Sequence, residues 1–297
     1  MDVLTQLNRA MDYVEAHICD DMALADVSSA TVYSTYHFGR MFYYIADMPL
    51  SEYIRRRKLS LAAMDLQCGD AKVIDLAVKY GYDSADSFTR AFVRQHGVTP
   101  SVARKTGVML KIFPPLTFQI KIGGVHEMNW RIEQKEAFEV CGIERYFKPS
   151  VWEDGDVPPL SPFWDEIREN GSLEKLIKHV GRNDLMAICC HDDGGNRCRD
   201  ENNADDFPYM ICLPCECGGE CSSDGFTTAT VPKSTWAVFR ESTVGYGLEI
   251  PRLFQRALSE WLPSSGYDRA PGPDMEIYGS EVGGKLFDEV WIPVVKR

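Results

Sequence analysis

Two stretches within the first hundred residues repeat one pattern at matched positions, and this repeat constrains the chain more than any other feature. Ser34-Thr-Tyr-His-Phe-Gly-Arg40-Met-Phe42 aligns with Ser84-Ala-Asp-Ser-Phe-Thr-Arg90-Ala-Phe92. Each opens on a serine, whose hydroxyl can cap a helix, and sets apolar residues at helical spacing around an arginine. A helical stretch, a tight turn and an amphipathic helix, twice over, predict two tandem helix-turn-helix units. In such a unit the second helix enters the major groove of double-stranded DNA with its N-terminal residues at the base edges.

The residues expected to face DNA are Thr35, Tyr36, Gly39 and Arg40 in the first unit, and Ala85, Asp86, Ser87, Thr89 and Arg90 in the second. Arginine carries the bidentate fork that reads guanine, so Arg40 and Arg90 lead. The ordinary alternative is that each arginine pairs with a carboxylate on a solvated face; their matched positions in duplicated units favour base reading. The run Arg55-Arg-Arg-Lys58 is expected to be exposed on the helix between the units. There Arg55 and Arg56 either touch phosphates or form a plain charged surface.

Charge is unevenly placed. The net charge is −12, yet residues 1–107 hold 12 Lys/Arg against 13 Asp/Glu, while 108–297 hold 20 against 31. Within 34–106 there are 11 basic and 7 acidic residues, so phosphate contact belongs to the N-terminal part. No run of 18 apolar residues exists, and Met1-Asp-Val-Leu-Thr lacks the basic and apolar start of a signal peptide. A cytoplasmic protein without membrane contact, its ten cysteines reduced, is the expectation.

The apolar pattern changes along the chain. Up to about Lys105 it is helical, with Tyr53, Ile54, Leu61, Met64, Leu76, Ala77, Phe88, Phe92 and Val93 among the expected core residues. From about 110 it becomes short runs rich in β-branched and aromatic residues, with strands expected at Phe138–Tyr146, Leu185–Cys190, Pro208–Leu213, Thr227–Val231, Thr235–Arg240, Met275–Tyr278 and Asp288–Val294. Helices are expected at Pro162–His179 and Ile250–Leu262. The fold class is therefore an all-α N-terminal domain (1–107) with two helix-turn-helix units, a linker (108–128) stiffened by Phe113-Pro-Pro-Leu116, and an α+β C-terminal domain (129–297) with a duplicated strand-helix-strand-strand module.

Residues 24–105 resemble the DNA-binding domain of AraC/XylS-type transcription regulators. The resemblance rests on Asp75-Leu-Ala-Val-Lys-Tyr-Gly-Tyr-Asp-Ser84, Phe88-Thr-Arg-Ala-Phe92 and Gly97-Val-Thr-Pro100. It implies two recognition helices joined by a long helix, and activation by recruiting RNA polymerase. One departure concerns the first turn, where Val32 stands in place of the usual glycine while Gly81 is kept in the second. A β-branched residue resists positive φ, so the first turn is expected to be either differently shaped or strained.

The final strand alternates, placing Phe287, Glu289, Trp291 and Pro293 on one face. An acid beside two aromatics is either a solvated rim group or a cavity group that selects a cationic or hydrogen-bond-donating ligand. Residues 130–297 are similar to GyrI-like effector-binding domains, through Pro232-Lys-Ser-Thr-Trp-Ala-Val-Phe239, Trp261-Leu-Pro-Ser-Ser-Gly-Tyr267, Glu276-Ile-Tyr278 and the final strand. The resemblance implies a central cleft for a small-molecule effector and assigns the ligand-facing glutamate to Glu289. Trp291, Phe147, Trp164, Tyr209, Tyr246 and Tyr278 are candidate walls for stacking and cation–π contact, each with a place in the core as the alternative.

Cys212, Cys215, Cys217 and Cys221 have spacing that can bind zinc, so a metal- or thiol-responsive regulator is one rival reading, with plain reduced thiols preferred. No Walker loop, G-x-S-x-G, H-E-x-x-H or dinucleotide fingerprint is present, so no enzyme and no cofactor are expected. A GyrI-like hydrolase using Glu289 as general base is the other rival.

Overall fold

Among the described residues, seven helices follow one another before the first strand: α1 (Val3–Ala16), α2 (Leu24–Ser29), α3 (Thr35–Ala46), α4 (Leu50–Cys68), α5 (Val73–Lys79), α6 (Ala85–His96) and α7 (Pro100–Ala103). The computed structural model describes residues 3–105, 107–118, 127–147, 160–189, 207–216, 225–245 and 247–297. The chain divides into two units, one largely 4–119 and the other largely 120–297.

In the helical unit, α2–α3 and α5–α6 are the two helix-turn-helix pairs, and the 19-residue α4 joins them. Serine caps start both second helices: Ser34 Oγ accepts the His37 N–H and Ser84 Oγ accepts the Ser87 N–H. Leu59, Ala62, Ala63 and Leu66 of α4 pack against Leu76, Ala77 and Tyr80 of α5 and Phe88 and Phe92 of α6. Met64 does not join them and is 48% exposed, because it lies about 100° around the helix from Ala63 and farther still from Ala62. Val93, one residue past Phe92, falls on the rim of α6 for the same reason.

The two turns solve one problem in different ways. Gly81 sits at φ 75°, and beside it Tyr82 N–H reaches back to the Ala77 carbonyl at 2.8 Å, a closure that needs a left-handed residue. Val32 has no positive φ; among the described residues the single non-glycine with one is Asp47. Side chains hold the first turn instead: Thr31 Oγ1 donates to the Ser28 carbonyl at 2.7 Å, Tyr33 N–H donates to Thr31 Oγ1, and the Ser28 and Thr35 hydroxyls meet at 3.0 Å. Of the two expected outcomes, the differently shaped turn is the one present.

The second unit contains β1 (Asn129–Lys135), β2 (Phe138–Phe147), α8 (Leu160–Glu169), α9 (Ser172–Val180), β3 (Met186–Cys189), β4 (Phe207–Cys215), β5 (Thr227–Val231), β6 (Ser234–Ser242), α10 (Ile250–Arg256), β7 (Tyr267–Arg269), β8 (Asp274–Val282) and β9 (Lys285–Lys296). The helix expected at Pro162–His179 is broken in two, because Gly171 takes φ 74° between α8 and α9. α10 runs on into a π-helical turn, Ala257–Trp261.

The sheet is antiparallel, in the order β1-β6-β9-β8-β3-β4-β2-β5. This order is symmetric: β6-β9-β8 and β2-β4-β3 are two strand-helix-strand-strand modules meeting where β8 pairs β3. The leading strands are exchanged, since β1 precedes β2 in sequence but pairs β6, and β5 precedes β6 but pairs β2. Two-residue connections at 136–137 and 232–233 therefore span from one end of the sheet to the other, and the sheet must curl. Its concave face closes over Val140, Met186, Met210, Val231, Trp236, Val238, Met275 and Trp291. Pairing continues the other face as a row from Phe239 through Val290, Glu276 and Ala187 to Ile211. The helices lie on that second face, where Trp261 meets Phe239 and Trp164 reaches Tyr209.

Candidate functional site

Helix α6 meets the geometric demand of a reading helix. Phe88, Phe92, Gln95 and His96 are buried, while Asp86, Arg90 and Arg94 are exposed and Ala85, Ser87 and Thr89 are half-buried. Arg90 has no hydrogen-bond or ion-pair partner among the described residues. Thr89 Oγ1 donates to the Ala85 carbonyl at 2.7 Å, so its hydroxyl is held by its own helix.

Helix α3 corrects the expectation for its half of the repeat. Tyr36 and Gly39 are buried, Thr35 is half-buried, and Arg40 is 2% exposed. Arg40 donates to the Tyr36 hydroxyl at 2.9 Å and its guanidinium lies 5.9 and 5.7 Å from the Tyr36 and Tyr44 rings. Tyrosines one turn to either side draw the guanidinium along the helix, which is why it does not stand out as Arg90 does.

The basic run on α4 is also corrected. Arg55 and Arg56 both bind Glu52, and burial of Glu52, which raises its pKa, is outweighed by their hydrogen bonds and charges, so its carboxyl titrates below the usual range. Arg57 is buried on Glu15 at 2.6 and 2.8 Å. Arg55 and Arg56 keep part of their side-chain surface exposed, but the run is not a row of free cations.

In the second unit the candidate residues separate onto the two sheet faces. Glu289 is 3% exposed on the concave face and accepts from Arg131 at 3.2 and 3.3 Å, from the Trp291 indole at 2.8 Å, and from Arg240. Burial pushes its pKa up, but the hydrogen bonds from Arg131, Trp291 and Arg240 win and hold the carboxyl below its ordinary value. Two guanidinium groups already compensate this carboxylate, so a cationic ligand would have to compete with Arg131 and Arg240 for it.

Four of the expected wall residues gather instead around Glu276, on the helix-bearing face at the centre of β8. Glu276 is 4% exposed and receives the hydroxyls of Tyr209, at 3.2 Å, and Tyr278. These two hydroxyls lie 3.1 Å apart, and the half-buried Trp164 of α8 donates its indole N–H to Tyr209 at 3.1 Å. The Trp164 ring packs edge-on against Tyr278 at 4.9 Å, and Phe147 and Phe163 pack against Tyr209. Burial and the Glu276 charge push both phenols well above their ordinary pKa, so they stay protonated and donate. Here a buried acid lies under aromatic rings beside a helix, an arrangement suited to an apolar ligand bearing a positive charge or N–H donors. Tyr246 lies outside the described residues.

Sequence reasoning quoted Glu276 yet passed over it as a ligand group. The available signal was an acid between Met275 and Ile277, flanked by apolar neighbours in a strand. Arg131 and Arg240, the partners of Glu289, were missed because no local pattern joins residues 158 and 49 apart.

Cys212 and Cys215 are buried, and burial pushes the Cys212 thiol well above its ordinary pKa. Among the described residues no group of three or more His, Cys, Asp or Glu side chains could hold a metal ion; Cys217 and Cys221 lie outside them. No helix among the described residues is long and apolar enough to cross a membrane.

A helical unit with paired helix-turn-helix elements, followed by a duplicated sheet module with a buried acid under aromatic rings, defines the class of DNA-binding regulators with an attached effector-binding domain. Residues 27–106 match the helix-turn-helix domain family, and residues 131–294 match the family of integron-associated effector binding proteins. The chain belongs to the AraC-type transcription regulators that carry such a GyrI-like effector-binding domain. It is 37% identical over 98 residues to the HTH-type transcriptional activator AarP of Providencia stuartii, covering 33% of this chain and 73% of that one. To the transcriptional regulator Rob of Salmonella typhimurium it is 32% identical over 118 residues, covering 39% of this chain and 41% of Rob. The structure of SAV2435 bound to tetraphenylphosphonium aligns with 57% of this chain and 94% of its own length, at 15% identity and a TM-score of 0.42.

Proposed function

We propose that this regulator changes its hold on DNA, and through that the recruitment of RNA polymerase, when a small apolar cation or N–H donor binds beside Glu276. The observation that carries the reading is the acid at 4% exposure with two phenol hydroxyls turned onto it and Trp164 at its rim. A carboxylate so placed interacts more strongly with a cation than a solvated one would, because the surrounding medium screens less. Occupancy then shifts an equilibrium between arrangements of the protein by the ligand's differential affinity for them. On the DNA side, α6 reads bases with Arg90 leading.

The test compares an aromatic cation with its neutral isostere, binding each to the full chain and measuring the effect of each on affinity for a promoter duplex. The cation should bind more tightly and alter DNA affinity, and Glu276→Gln should abolish its advantage while leaving ligand-free DNA binding intact. Equal binding of cation and neutral analogue by the wild-type protein would exclude Glu276 as the selecting group.

A further inference from the structure

The segment that leaves the helical unit, residues 108–118, is tied down by its own peptide groups. Phe113 N–H donates to Ser60 Oγ at 3.0 Å, and the Phe113 carbonyl accepts from Arg57 at 2.6 Å. Leu116 N–H donates to the Tyr53 hydroxyl at 2.9 Å, and Phe118 exchanges both its peptide groups with the Asn8 amide, at 2.8 and 3.0 Å. The Arg56 guanidinium covers the Phe113 ring at 4.9 Å. This is an extended strap bonded along α4 and α1.

One of these bonds has a second user. Ser60 Oγ, fully buried in the middle of α4, also accepts from Gln95 Nε2 of α6 at 3.2 Å, and it donates to the Arg56 carbonyl at 2.7 Å. A hydroxyl has one hydrogen and two lone pairs, so all three are spent. The strap and the reading helix therefore converge on a single oxygen. Gln95 is 7% exposed and His96 Nε2–H donates to the Leu59 carbonyl, 3.2 Å away, so the C-terminal end of α6 is anchored on α4. The anchor is not at its polar optimum: Gln95 Oε1 and His96 Nδ1 are buried without partners. Buried orphans of this kind mark a junction whose present arrangement is held by its surroundings.

We propose that Ser60 is a positioning residue for DNA reading, which fixes the tilt of α6 according to where the strap lies. The inference rests on the reading that α6 enters the DNA groove. From Gln95 to Ala85 the helix spans about 15 Å, so a tilt of about 5° at the anchor moves the N-terminal reading end by about 1 Å. That displacement is enough to spoil a bidentate arginine contact, whereas the apolar packing of Phe88 and Phe92 tolerates it. Ser60 touches no base or phosphate; it acts through Gln95.

The experiment uses the full chain and a duplex that the wild-type protein selects from a random-sequence pool. Ser60→Ala leaves Gln95 its bond to the Arg56 carbonyl, at 3.1 Å, so the unit keeps half of the anchor and its apolar core. The variant should lose about fivefold to tenfold in affinity for that duplex, and its base preference should relax at the positions that Arg90→Ala relaxes. Asn8→Ala, which frees the strap only at Phe118, should change affinity by less than about twofold. Hydrogen exchange at the Phe113 amide should quicken in Ser60→Ala and slow on DNA binding by the wild type. If Ser60→Ala proves unfolded by circular dichroism, Gln95→Met tests the same junction from the other side with the same expected loss. Unchanged affinity and preference in a folded variant whose Phe113 amide exchanges fast would overturn the inference alone. An Arg90→Ala variant that binds and discriminates like the wild type would instead remove the reading beneath it.

Discussion

Trp164 donates its indole N–H to the Tyr209 hydroxyl at 3.1 Å, so a half-buried ring on α8 is joined through one phenol to the buried Glu276. A ligand that reaches Glu276 must pass or displace that ring. Trp164→Phe keeps the ring and removes the donor. It should lower the ligand-induced change in tryptophan emission far more than Trp130→Phe does, although the chain has six tryptophans. Equal loss in both variants would place the ligand elsewhere.

The two matched arginines should behave differently. Arg90→Ala should weaken discrimination at particular base pairs by about 1–3 kcal/mol, measured with single-substitution duplexes. Arg40→Ala should lower thermal stability by about 1–2 kcal/mol through loss of its bond to Tyr36, with base preference unchanged. A base-specific loss in Arg40→Ala would show that α3 turns this side chain outward on DNA.

Acid should loosen the sheet unit through Glu289. Its folded pKa lies below the ordinary 4.5, so the unfolded chain takes up protons first as the pH falls. The stabilisation is complete above 4.5 and disappears as the pH drops through the lower folded value. Thermal melts between neutral and strongly acid pH should show this loss. Glu289→Gln should cost about 2–3 kcal/mol near neutrality, toward the low end for a broken buried pair because both arginines reach solvent, and should flatten the acid slope.

The turns give a paired test. Gly81→Ala forces a side chain into φ 75° and should destabilise by about 1 kcal/mol or more. Val32→Gly, at an exposed position with ordinary φ, should cost less than about 1 kcal/mol, and that through the unfolded chain. Chemical denaturation of both variants measures the difference.

Much of this architecture was legible because its signals are local. Serine caps, apolar spacing and Gly81 place the second helix-turn-helix, and strand alternation finds β2, β5 and β9. Strand β1 escaped notice since Arg131 and Glu133 lie on its inward side, where a charge reads as loop until its partner on β9 is seen. The cluster around Glu276 was half legible. Its aromatic residues were named, but Glu276 was not joined to them because its proximity to Tyr209 depends on β8, β3 and β4 lying side by side.

Asp288 and Glu289 are neighbours on β9 that serve opposite surfaces. Asp288 is fully buried and takes three backbone N–H groups, from Gly247, Glu249 and Gly279, at 3.2 Å each, while Glu289 takes the arginines. The two acids differ by one methylene and cannot trade places: a slip of β9 by one residue would drive the longer side chain into a loop fitted to the shorter and strand two guanidinium groups. Adjacent carboxylates thus act as a register key, penalising misthreaded pairings of the last strand that apolar alternation alone would discriminate less sharply.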